Sequence, residues 1–146
     1  MTEQSTGIPI WFLQTTERGL RLFPGHDSQY FVIEDGAWTP ILYCGLFALV
    51  NEELLSFFKQ YAYHLESHPA MIIDRVLNQT FNGYHRIYIK DEIDPGVKNI
   101  HEIDASGIKI WHRQGAIFIS NELKELLDQT SISGITPAPG FSGWGG

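Results

Sequence analysis

Few side chains in this sequence combine the types and the spacing that chemistry requires. His64 and His68 stand four apart near the end of an expected helix, a spacing that aims two imidazoles along one face toward a metal. A zinc-protease helix needs glutamate directly after the first histidine, whereas Leu65 stands there and Glu66 comes one place late. Pro69 ends the helix at that point, so both histidines read as solvent-facing groups or as caps complementing the helix dipole. The stretch DEIDPG at 91–96 has the outline of a calcium loop, yet Ile93 and Pro95 occupy positions that need oxygen ligands. In GFSGWG, Ser142 sits as in a nucleophile elbow, but Trp144 stands where that elbow requires glycine. No glycine-rich loop is followed by Lys and Ser or Thr to cradle phosphates. Cys44, the single cysteine, falls in the most apolar stretch and reads as core. The expectation is therefore no metal, no cofactor and no catalytic residue. Carboxylate pairs, Asp91 with Asp94 or Glu102 with Asp104, remain the generic route to acid and base work, which needs two carboxyls of separated pKa in one cleft.

The same carboxylates are better suited to contact. Asp91, Glu92, Asp94, Glu102 and Asp104 face one cation, Lys98, so residues 91–104 carry a local charge of minus four, more than half of the net minus seven. A rim of this kind steers a basic protein surface and speeds encounter. A solvated hairpin edge that resists sheet-to-sheet aggregation has the same composition. Across the whole chain, 17 acidic against 10 basic residues repel phosphate backbones, which disfavours nucleic acid as a partner. The 43% apolar content over 146 residues is enough for one packed core. The longest apolar run, ILYCGLFALV at 41–50, is about half a membrane span. MTEQSTGIPIWFLQ has neither the basic nor the long apolar region of a secretory leader, so the chain is read as cytoplasmic and without a membrane partner.

The elements that must position these groups follow from hydrophobic pattern. IPIWFLQ at 8–14, GLRLF at 19–23 and QYFVI at 29–33, separated by turn formers, predict an antiparallel meander. Asp35 and Gly36 then form a tight turn, and a strand spans about 41–50. Asn51 caps a helix over about 51–63, whose stripe is Leu54, Leu55, Phe57, Phe58 and Tyr61. His68 and Pro69 close a connection before a buried strand at 70–77, and Asn82 and Gly83 mark a turn. YHRIYIK at 84–90 alternates, with His85, Ile87 and Ile89 opposite Tyr84, Arg86, Tyr88 and Lys90. Short strands follow at NIHEID and at 108–112, then a hairpin turn at Gln114 and Gly115. A second helix over about 120–129 is capped by Ser120 or Asn121 and buries Leu123, Leu126 and Leu127.

GLFALVNEELLSFFKQ at 45–60 and QGAIFISNELKELLDQ at 114–129 resemble each other at an offset of 69 residues, with Glu53, Leu54 and Gln60 matching Glu122, Leu123 and Gln129. Duplication gives such a pattern, and so does any strand that runs into a capped amphipathic helix. The predicted fold is a single α+β domain over 1–136 with a mostly antiparallel sheet and two principal helices, followed by a tail at 137–146 too rich in Gly and Pro for regular structure. That tail is either mobile or pinned by Phe141 and Trp144.

Residues 84–136 resemble the immunity proteins of bacterial polymorphic-toxin systems. The resemblance is carried by GYHRIYIKDEID, IHEIDASGIKIW, AIFISNELKELLDQ and SGITP. A strand ending in Ser120 leads into a helix with Glu122, Leu123, Lys124 and Leu127, then Gly134 and Ile135. These positions are structural, and no binding residue carries over with them. The resemblance implies a non-enzymatic protein that binds a cognate toxin domain and blocks it; the local charge, not the resemblance, marks Asp91, Glu92, Asp94, Glu102 and Asp104 as the expected partner-binding set. Two other classes stay open: a small hydrolase or transferase using carboxylates and histidine, and a secretion adaptor or assembly subunit.

Overall fold

The computed structural model describes residues 8–61 and 65–141. His64, Ser142, Trp144 and the end of the first predicted helix beyond Tyr61 lie outside them. The fold is α+β with mostly antiparallel sheets, as the apolar patterning predicts. The first three apolar runs contain β1 (Ile10–Phe12), β2 (Arg21–Pro24) and β3 (Gln29–Glu34). Only β2 and β3 pair with each other; β1 joins a different sheet, so the three do not form one meander. Gly36 does not take a positive φ. A side chain there would meet the backbone of Gly19, so close chain approach explains this glycine better than a tight turn does.

The apolar run at 41–50 is two strands, β4 (Ile41–Cys44) and β5 (Phe47–Asn51), folded back at Gly45 and Leu46. Gly45 has a φ of +60°, and Leu46, an apolar turn residue, is 70% exposed, which is why hydrophobicity alone hides the bend. Asn51 accepts the Leu54 N–H at 2.9 Å and starts α1 (Glu52–Tyr61), which buries Leu54, Leu55, Phe57 and Phe58.

β6 (Leu65–Asp74) begins earlier than expected and contains His68 and Pro69. Pro69 is tolerated because β3 flanks β6 only from Met71 onward, which leaves that end at an edge. Arg75, Val76 and Leu77 are not strand: the Asp74 carboxylate accepts the N–H groups of Val76 and Leu77, both at 3.0 Å, and turns the chain outward. β7 (Gln79–Ile89) returns antiparallel, and Asn82 and Gly83 lie inside it. They oppose Met71 alone, as a bulge, with Gly83 at φ +107°.

NIHEID is not a strand. Asn99 accepts the His101 N–H at 2.9 Å and caps a 3₁₀ turn, Ile100–Glu102. β8 (Ile110–Arg113) and β9 (Ala116–Ser120) form the expected hairpin, with Gln114 and Gly115 at φ +51° and +87°. Ser120 caps α2 (Asn121–Asp128), which buries Leu123 and Leu127. The Gly- and Pro-rich tail contributes β10 (Ala138–Pro139), whose two residues pair with Phe12 and Trp11, and Phe141 packs edge-on to Phe118 at 5.6 Å.

Six strands lie in the order β2-β3-β6-β7-β5-β4, antiparallel except for β3 and β6. This sheet curls until its edges meet, where the Cys44 thiol donates to the Leu22 carbonyl at 3.3 Å. Leu22, Tyr30, Leu42, Leu49, Ile72 and Tyr84 fill the space it encloses. The other four strands lie in the order β10-β1-β9-β8. Between the two sheets, Val50, Ile87, Ile117 and Ile119 pack with Leu54, Phe58 and Leu123 of the helices. β9 is buried on both faces, because Ala116 and Phe118 enter a third cluster with Ile10, Phe12 and Trp111.

Candidate functional site

All five predicted carboxylates, Asp91, Glu92, Asp94, Glu102 and Asp104, are exposed, and all lie on the connection from β7 to β8. Its backbone is fastened at several points. Residues 91–93 run along the edge of β8: the His112 N–H donates to the Asp91 carbonyl and the Ile93 N–H to the His112 carbonyl, both at 2.9 Å. Arg113, buried, donates from Nη2 to the carbonyls of Pro95 at 2.8 Å and Val97 at 3.0 Å. Val97, Ile100 and Ile103 cover the third core cluster. Asp94 accepts the Gly96 N–H at 2.7 Å, which tightens the turn that Pro95 begins.

The carboxylates are not equivalent. Asp104 accepts from the Ser106 hydroxyl at 2.8 Å and pairs with Lys109 at 3.3 Å. The Ser106 hydrogen bonds first, then Lys109, hold its carboxyl below the usual carboxylate range. Asp91, Glu92, Asp94 and Glu102 make no ion pair with any described residue. The pairs considered for acid and base work stand in solvent rather than in a shared cleft. His68 is on a strand, its ring edge-on to Tyr88 at 5.2 Å, and so caps no helix. Among the described residues no three His, Cys, Asp or Glu side chains converge as metal ligands.

A second feature combines residues that sequence reasoning did not group. The tips of the hairpins β4-β5 and β8-β9 abut beside β7, and Leu46, Phe47, Arg86, Tyr88, His112 and Gly115 are among the residues lining a cleft of about 170 Å³ there. A Cβ on Gly115 would fall 2.7 Å from the Leu46 carbonyl carbon, so the close approach of the tips requires glycine. The Arg86 guanidinium carbon lies 3.6 Å from the Phe47 ring centroid and 4.6 Å from that of Tyr88. Burial pushes the neighbouring Cys44 thiol up, and the Arg86 charge offsets part of that rise. The available signal was an arginine between Tyr84 and Tyr88 on the second face of an alternating strand. The cleft lining comes from three segments distant in sequence, 46–48, 86–89 and 112–117, which no local pattern joins.

Two tyrosines with raised pKa serve the frame. The Tyr43 hydroxyl donates to the Leu13 carbonyl at 2.7 Å and accepts the Ile117 N–H at 3.3 Å, tying β4 to the second sheet, and burial lifts its pKa well above the usual phenol value. The Tyr84 hydroxyl donates to the Thr39 carbonyl at 2.7 Å, and burial pushes its pKa up to about 12. No helix among the described residues is long and apolar enough to cross a membrane. No protein-family model and no curated protein sequence matches the chain.

Proposed function

We propose that this protein is an immunity protein that binds a cognate toxin domain in the cytoplasm and blocks its active site or substrate entry by occlusion, with no bond made or broken. One observation carries this reading: four exposed carboxylates with no ion-pair partner among the described residues, Asp91, Glu92, Asp94 and Glu102, stand on a connection whose backbone is already fastened by Arg113, by the edge of β8 and by its own apolar residues. A preordered acidic surface loses little conformational freedom on association and attracts a basic surface from a distance. The resemblance of residues 84–136 supplies the class of partner. Occlusion then requires an interface on the order of 1,000 Å² or more, with buried anchors inside a polar rim.

Co-expression with the protein encoded immediately beside this chain, as the expected toxin, provides the test. Protection of growth together with a purified one-to-one complex is the expected result. Toxicity that persists at full expression of this protein overturns the proposal, and a complex that forms without protecting assigns the protein to secretion or assembly.

A further inference from the structure

The cleft between the hairpin tips contains a cation with no paired anion among the described residues. Arg86 is half-buried, and its guanidinium makes no hydrogen bond or ion pair with any described residue. The 3.6 Å approach to Phe47 brings a flat face of the guanidinium onto the ring and leaves the N–H donors, which lie in the plane, directed away from it. Glu66 is opposite Tyr88 on the adjacent strand, a diagonal neighbour of Arg86, and forms no ion pair with it. Among the described residues no carboxylate lines the cleft, although the chain carries a net charge of minus seven. His112, a further ring N–H donor, and Gly115 at the tip of β8-β9 also line the cleft.

A guanidinium held by two aromatic rings is preorganised. It loses little side-chain freedom when its fork engages two oxygens, and partial burial strengthens that contact relative to water. The volume, about 170 Å³, suits a small charged group and is below the range of drug-sized ligand pockets. We propose that this cleft is a binding site for an oxoanion, a carboxylate or a phosphate, with the Arg86 guanidinium as the recognising group and His112 as a second contact. The acidic connection borders this site, since Glu92 is bridged to His112, but the proposal does not depend on the immunity reading.

The test is an NMR titration of the full chain that follows the Arg86 side-chain N–H and the His112 ring signals. Inorganic phosphate is added in one arm and N-acetylglutamate in the other, and the tighter arm identifies the source of the oxoanion. Saturable shifts centred on Arg86 and His112, with a Kd of about 1 mM or tighter, are expected in at least one arm. Arg86→Met keeps the stem on Phe47 and abolishes the shifts; Arg86→Lys keeps the charge without the fork and weakens binding about tenfold. Shifts that never saturate, that centre elsewhere, or that persist in Arg86→Met overturn the proposal. Should Arg86→Met fail to fold, the wild-type shift map and the Arg86→Lys affinity still decide.

Discussion

Two regions of this molecule share one frame and use it differently. A shift of 69 residues carries β4 onto β8, β5 onto β9 and the start of α1 onto the start of α2. Turn and cap correspond as well. Gly45 and Gln114 both have left-handed backbones, and Asn51 and Ser120 both accept the N–H three residues on, at 2.9 and 3.4 Å. The side chains within the frame diverge. Cys44 enters the core enclosed by the curled sheet, whereas its counterpart Arg113 holds the acidic connection; Tyr43 ties two sheets together, whereas His112 lines the cleft. A hairpin followed by a capped helix is thus specified by few positions, and the others are free to carry contacts. The matched boundaries strengthen the case for duplication beyond the three identical residues visible in the sequence.

Core truncation separates the units most strongly. Phe58→Ala in α1 removes a fully buried ring that touches Phe57 and is expected to cost about 4 kcal/mol, while Leu127→Ala at the equivalent α2 position costs about 2–3 kcal/mol. Urea unfolding of both variants measures the difference. Equal losses would mean that the two helices are anchored alike.

Next in size is the pair in which the units differ in kind. Arg113→Met removes two charge-assisted hydrogen bonds to the connection and is expected to cost about 2–3 kcal/mol, with loss of hydrogen-exchange protection at Ile93. Cys44→Ala, which removes a weak thiol donor and little volume, costs about 1 kcal/mol and leaves that protection unchanged. The turns follow. Gly45→Ala meets no atom within 4 Å and incurs only left-handed strain, about 1 kcal/mol. Gly115→Ala adds a clash with the Leu46 backbone and destabilises at least twice as much in the same unfolding assay.

The smallest effect concerns Asp104. Its carboxyl is held below the usual range in the folded chain, so the associated stabilisation is present at neutral pH and fades as the pH falls through the folded value. Ser106→Ala, which removes the largest single cause, and Lys109→Met should each return the NMR titration midpoint toward the ordinary carboxylate range.

Both helices were legible because a cap precedes a stripe: Asn51 before Leu54 and Phe58, Ser120 before Leu123 and Leu127. The turn at Gln114 and Gly115 was legible for the same kind of reason, since its residues are polar or small. Leu46 concealed the equivalent bend by being apolar, and Asn82 and Gly83 imitated a turn while forming a bulge. Which sheet a strand joins depends on pairing across more than a hundred positions, as between β1 and β9, and local periodicity contains no such information. The acidic set was legible as composition alone. Its fastening by Arg113, and the cleft around Arg86, arise only from long-range packing.

The central claim is that exposed, preordered carboxylates guide a basic toxin domain onto this surface. The variant Asp91→Asn, Glu92→Gln, Asp94→Asn, Glu102→Gln preserves shape and the Asp94 turn while removing charge. Stopped-flow association with the neighbouring toxin domain, measured across salt concentrations, should show an on-rate about tenfold or more below wild type at low salt and a flatter salt dependence, with the off-rate little changed. An on-rate equal to wild type at every salt concentration would contradict the claim.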